Sequence, residues 1–260
     1  MPVEFLLFCA VGFLAQLVDG ALGMAYGVVS STVLLAFGVP PAHASASVHA
    51  AEVFTTAASG ASHLAHRNVN WPAFWRLVIA GLIGGVLGAF ILTSIDGNVL
   101  RPFVVGYLAL MGVVILWRAF KPRTGEPAQL KSRALLPLGG VGGFLDAIGG
   151  GCPAPIRALV TIGPQPPRYV IGTVNAAEFI VTVGISATFV IALLAGHWSE
   201  ADGLLDHGMA VLGLIVGGVV AAPFAGLITK RLPVKTLTAI VGVLVLLLAA
   251  YQLSRLLNLF

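Results

Sequence analysis

Charge is the scarcest property of this sequence: Asp, Glu, Lys and Arg together make up 9% of its 260 residues. A soluble domain of that length carries about a quarter, so a surface facing water all round is excluded. Cysteine is nearly absent as well. Cys9 and Cys152 are too few for a disulfide framework, and both fall in apolar segments, where they read as small buried hydrophobes. The first apolar segment has no basic stretch ahead of it and opens with Glu4. It lacks the signal-peptide pattern and is read as a retained span. No Walker A run occurs, so ATP coupling would need a partner subunit. Neither Gly-x-Ser-x-Gly nor His-Glu-x-x-His is present, and His43, His49, His63 and His66 give no consistent metal-binding face. An enzyme, a bound metal and a cofactor are therefore not expected. The net charge of +4 does not point to nucleic acid, because the basic residues sit in membrane-flanking loops.

What the sequence has in excess is hydrophobicity: 58% of residues are apolar and the mean hydropathy is +1.00. Apolar runs of roughly 18 to 22 residues recur, each long enough as a helix to cross about 30 Å of hydrocarbon. Lipid offers no hydrogen bonds, so such runs must be helical or enclosed by other helices. Five apolar elements, about 3–18, 22–38, 43–65, 73–94 and 98–119, precede one polar stretch from Lys121 to Arg133. Five more follow, about 134–148, 153–163, 168–196, 205–229 and 234–256. The pattern predicts an all-α polytopic membrane protein.

The two halves match in order. Leu17-Val18-Asp19-Gly20 aligns with Phe144-Leu145-Asp146-Ala147, each followed by glycines. Pro40-Pro41 corresponds to Pro166-Pro167, and His49-Ala50-Ala51-Glu52 to Asn175-Ala176-Ala177-Glu178. The glycine-rich runs at 82–85 and 214–218 come next. This predicts an internal duplication, with residues 1–120 and 134–260 as transmembrane repeats and 121–133 as a basic cytoplasmic linker. Segment 153–163 is too short to span alone, so each half is predicted to hold a broken, glycine-rich hairpin plus three spanning helices. An odd number of crossings per half inverts the second copy. Basic residues agree: on that topology Arg67, Arg76, Arg118, the linker cations, Arg168, Lys230, Arg231 and Lys235 share one face. The other face keeps Arg101 and Arg255. The positive-inside rule makes the crowded face cytoplasmic and puts both termini outside. The 32 glycines allow close helix contact in lipid, within the chain or across a homodimer.

Four of the ten acidic residues lie inside apolar elements: Asp19, Glu52, Asp146 and Glu178. A charge at the centre of a spanning helix costs roughly 2.5–3.5 kcal/mol on insertion scales, so a retained one usually faces a cavity or partner. Glu52 and Glu178 lie at matching depths in helices entered from opposite faces, which takes both to the midplane, where inverted-repeat transporters keep their sites. Burial favours the uncharged form of a carboxyl, which can hydrogen-bond an anion or carry a proton. Alternatively they form a polar cluster locking the repeats together. His49 and Asn175 stand three residues before the two glutamates, on the same helical faces, and are candidate substrate ligands.

The hairpin tips combine glycine with an acid, at Asp19-Gly20-Ala21-Leu22-Gly23 and Asp146-Ala147-Ile148-Gly149-Gly150-Gly151. Pro153 suits the first turn of a half-helix, whose free N–H groups would hold an anion. Asp19 and Asp146 are read as caps there. Arg157, one turn after Pro153, is either an ion-pair partner for an acid or a fork for an oxyanion. His43 and His63 are placed at the interface, and Trp71, Trp75, Trp117 and Trp198 in an aromatic belt.

The segments Asp-Gly-Ala-Leu-Gly-Met-Ala-Tyr-Gly-Val from Asp19 and Ser-Ala-Ser-Val-His-Ala-Ala-Glu from Ser45 resemble the sulfite exporter TauE/SafE family. So do Asp-Ala-Ile-Gly-Gly-Gly from Asp146 and Gly-Thr-Val-Asn-Ala-Ala-Glu-Phe from Gly172. The resemblance covers about residues 8–253. It implies a multi-pass inner-membrane permease for sulfite, sulfoacetate or other organosulfonates. The first glycine motif lacks the proline common after it in that family, whereas the second keeps Pro153 and Pro155. The expected function is secondary transport of a small sulfur-containing anion. Gly20, Gly23, Gly149, Gly150, Gly151, Arg157, His49 and Asn175 would bind it, and Glu52 and Glu178 would couple it to protons. An anion channel of the same architecture, or an intramembrane metal-dependent enzyme, are the alternatives.

Overall fold

A backbone in hydrocarbon must satisfy its own hydrogen bonds, and the computed structural model of the chain does so with helices alone among the residues it describes. Those are 2–22, 26–120, 135–151, 167–198, 207–231 and 234–257. The helices are α1 (Pro2–Leu22), α2 (Tyr26–Ala36), α3 (Pro41–Ala65), α4 (Trp71–Ser94), α5 (Gly97–Phe120), α6 (Leu135–Gly149), α7 (Pro167–Leu194), α8 (Gly208–Arg231) and α9 (Val234–Leu256). The linker at 121–133 and the segment predicted at 153–163 lie outside the described residues.

Among the described residues, four helices are long and apolar enough to cross a membrane, at Trp71–Ser94, Gly97–Trp117, Gly172–Leu194 and Thr238–Leu256. Their outward faces carry large apolar side chains at helical spacing: Ile79, Ile83, Leu87 and Phe90 on α4, and Ile240, Leu247 and Tyr251 on α9. Helix α2, with 11 residues, is only about 16 Å long at 1.5 Å per residue and cannot cross alone. Helix α3, with 25 residues, is long enough but polar along its buried side, where His43, Ser45, Ser47, His49, Glu52 and Thr55 are all interior. Apolar groups face outward and polar groups inward, the arrangement of an all-α polytopic membrane protein.

The expected boundary between the first two elements moves. The first element was predicted to end near residue 18, but α1 continues through Asp19 and Gly20 to Leu22. No proline stands there to remove a hydrogen bond, and one helical glycine costs only about 1 kcal/mol. Asp19 therefore lies in the last turn of α1. Helix α4 starts sharply, with the Asn70 side chain accepting from the Ala73 N–H at 3.1 Å, as an N-cap does.

Glycine sets how the helices meet. A Cβ at Gly84 of α4 would strike the Gly140 carbonyl of α6, and one at Gly143 would strike the Gly81 carbonyl. The register there advances in step, Gly84 against Gly140 and Gly88 against Phe144, so α4 and α6 run parallel. Helices α1 and α8 also run parallel, Gly213 lying beside Phe5 to Cys9 and Gly217 beside Cys9 and Phe13. Two other pairs run antiparallel. Gly60 of α3 meets Ala176 of α7 while Asn68, beyond the end of α3, meets Gly172. Gly112 of α5 meets Leu246 of α9 while Gly242 meets Leu116.

Candidate functional site

Helix α3 passes through the interior with His49 and Glu52 three residues apart on one face, 0% and 4% exposed. It is fixed against α6 by the Ser45 hydroxyl, which donates to the Ala147 carbonyl. That contact brings in Asp146, the preceding residue of α6, itself 4% exposed. Asp146 Oδ2 lies 3.7 Å from His49 Nε2. One nitrogen or oxygen from each of His49, Glu52 and Asp146 falls within 4.8 Å of the others.

The imidazole is oriented from behind. His49 Nδ1 lies 2.8 Å from the Ser45 carbonyl oxygen, which can only accept, so Nδ1 carries a proton. In the neutral ring Nε2 then presents its lone pair toward Asp146. Nε2 and Glu52 Oε2 are buried without a hydrogen-bond partner among the described residues.

Beside this cluster is a cavity of about 50 Å³ between α4, α6 and α7. Asp146 and Glu178 are its acidic lining, beside Gly81, Gly139, Gly142 and Gly143. A water needs roughly 10–15 Å³ of such volume, so the cavity has room for more than one. Asn175 precedes Glu178 by about one turn on α7 and is half-buried.

The glycine tips are placed in part. Gly149 ends α6, and the Gly150 N–H donates to the Asp146 carbonyl at 2.6 Å, so this donor is not free for an anion. Gly150 has φ +68°, a conformation that favours glycine. Its backbone packs on Gly27, where a Cβ would collide with the Gly150 carbonyl. The Gly151 carbonyl accepts from the Tyr107 hydroxyl at 2.8 Å. Gly20 is in the last turn of α1, and the Asp19 carboxyl accepts from the Tyr26 N–H, at the first residue of α2, at 3.5 Å. Asp146 has His49 as its side-chain partner here. Gly23, Pro153 and Arg157 lie outside the described residues.

One expectation is corrected, that for Trp198. His43, in the first turn of α3, is 2% exposed, with Trp198 and His207 ring centroids 5.2 and 5.6 Å away. Trp198 leaves the aromatic belt and is itself buried, because it packs on His43 and Phe189. Trp71, Trp75 and Trp117 are exposed. Sequence reasoning missed Ser45 and Tyr107. Ser45 carried a signal, one turn ahead of His49; Tyr107 carried none.

Comparison with known proteins gives concordant matches. The model of the family described as "Sulfite exporter TauE/SafE" matches residues 8–252. A probable membrane transporter protein of Bacillus subtilis (strain 168), YtnM, is 40% identical over 256 residues, covering 96% of this chain and 83% of the relative. A probable membrane transporter protein of Haemophilus influenzae (strain ATCC 51907 / DSM 11121 / KW20 / Rd) is 25% identical over 219 residues, covering 82% of each. No solved structure matches the chain.

Proposed function

The chain belongs to the sulfite exporter TauE/SafE family and is a membrane transporter, not an enzyme; from that membership we propose that it is a secondary transporter moving a small sulfur-containing anion, sulfite or an organosulfonate, across the inner membrane with proton coupling. The observation that carries this reading is the cavity lined by Asp146 and Glu178, beside the buried His49 and Glu52. An anion enters an acidic site only when the carboxyl charge is balanced, and protons do this reversibly. Glu178, half-buried and lining the cavity, is the carboxyl assigned the coupling proton. Glu52 is sealed against His49 and Asp146. Asn175, one turn from Glu178, adds a hydrogen bond to the anion.

The two halves work as inverted repeats that rock about this site. In support, α3 and α7, which carry the matching His49–Glu52 and Asn175–Glu178 segments, cross antiparallel, as do α5 and α9. Repeats inserted the same way up would leave such pairs parallel.

The test is uptake of labelled sulfite and sulfoacetate into liposomes holding the purified protein. A proton gradient should drive accumulation above equilibrium, abolished by a protonophore and by Glu178→Gln. Downhill flux that never accumulates would make the protein a channel, and wild-type accumulation by Glu178→Gln would remove that residue from coupling.

A further inference from the structure

We propose that His49, Glu52 and Asp146 form a binding site for a divalent transition-metal cation. The site goes beyond the transport reading and does not depend on which anion is carried. Three ligating atoms from three side chains lie within 4.8 Å of one another, and all three residues are at least nine-tenths buried. Proximity alone would be only an acidic cluster. The second observation is that His49 Nε2 and Glu52 Oε2 face inward with no hydrogen-bond partner among the described residues. A buried polar atom left so costs about 1–3 kcal/mol, more when charged.

The histidine is prepared as a ligand. Its Nδ1–H is held by the Ser45 carbonyl at 2.8 Å, the backbone contact that commonly fixes the tautomer and ring of a metal-bound imidazole. Ser45 is in turn anchored to Ala147, next to Asp146. Nε2 lies 3.7 Å from Asp146 Oδ2, too far for a hydrogen bond, and with the imidazole in its ligating, neutral form the lone pair faces the carboxylate across a gap an ion could bridge. Two ligands about 2.1 Å from a tetrahedral ion stand about 3.4 Å apart, so a shared cation fits with side-chain adjustments of about an ångström. Glu178, which lines the adjoining cavity with Asp146, adds a carboxyl nearby, and a divalent ion would offset acidic charge in the cluster.

Ligand type selects the ion. One imidazole with two carboxylates suits Zn²⁺ or another nitrogen-accepting transition metal better than Ca²⁺ or Mg²⁺, which take oxygen. Three protein ligands leave a coordination position open. The histidines give no metal face in the sequence, because the third ligand comes from the other half of the chain.

The experiment is direct binding of Zn²⁺ to the full chain in detergent, without a histidine tag and stripped with EDTA, titrated against a chromophoric chelator. About one ion per chain is expected. His49→Ala, Glu52→Gln and Asp146→Asn should each weaken binding about tenfold or more, and His66→Ala, on the exposed end of the α3–α4 turn, should not. No stoichiometric ion, or binding unchanged in the three variants, overturns the site. Should the variants fail to fold, Co²⁺ on the wild-type protein decides: nitrogen–oxygen d–d bands support the site and their absence refutes it. Binding is read without transport, so its failure leaves the transport reading standing, and the converse holds.

Discussion

Ser45 shows how much of this interior hangs on single polar atoms. Its hydroxyl donates to the Ala147 carbonyl of α6, and its own carbonyl holds His49 Nδ1. Ser45→Ala removes the donor and keeps the carbonyl, leaving a buried acceptor unsatisfied at a cost of about 1–3 kcal/mol. The variant should unfold at a lower temperature in detergent, read by tryptophan fluorescence; an unchanged midpoint would mean the bond contributes nothing. His49, Glu52, Asp146 and Glu178 were legible in the sequence because ionisable groups inside apolar helices are expensive and therefore conspicuous. Tyr107 was not, and Ser45 was only through its place one turn ahead of His49, since hydroxyls cost little in a helix and tertiary neighbours give them their role. Asp146 was visible as a residue but not as a partner. Followed by glycines it reads as a cap, yet α6 continues to Gly149, which leaves the carboxyl facing α3.

At the scale of elements, hydropathy located the helices among the described residues, and the end of α1 moved because no residue type marks a stop there. Glycine content told that helices pack closely without telling which glycines do it. The structure separates them. Gly84 touches the α6 backbone, where a Cβ would collide with Gly140. Gly106 on α5 faces open space, with nothing within 4 Å of an added Cβ. Gly84→Ala should push α4 from α6 and lower the yield of monodisperse protein in size-exclusion chromatography. Gly106→Ala should raise thermal stability slightly, because alanine is favoured over glycine in a helix interior by about 1 kcal/mol. Equal behaviour of the two variants would refute the assigned packing.

At the scale of the molecule, the proposed inverted topology makes one demand that independent contacts meet. With the α3–α4 turn on the cytoplasmic side, Asn70 and Thr173 must share that side, and the Asn70 N–H does donate to Thr173 Oγ1 at 2.8 Å. The opposite end must collect Arg101, the end of α2, Phe90 and His197. Arg101 donates to the Leu35 carbonyl at 2.9 Å, and the Phe90 and His197 rings stack 5.4 Å apart. The contacts fix which residues lie together; that the end holding Arg67 and Arg76 is cytoplasmic is what the positive-inside rule proposes. Single cysteines placed in a background lacking Cys9 and Cys152 test both. The exposed positions His66, Asp96 and His197 suit a membrane-impermeant thiol reagent. His66→Cys should react only in inside-out vesicles, Asp96→Cys and His197→Cys only in intact spheroplasts. Labelling of His66→Cys and Asp96→Cys from the same side would break the crossing of α4 and the inverted arrangement with it. A uniform exchange of sides would keep the arrangement and reverse its orientation, moving the termini inward against the charge distribution.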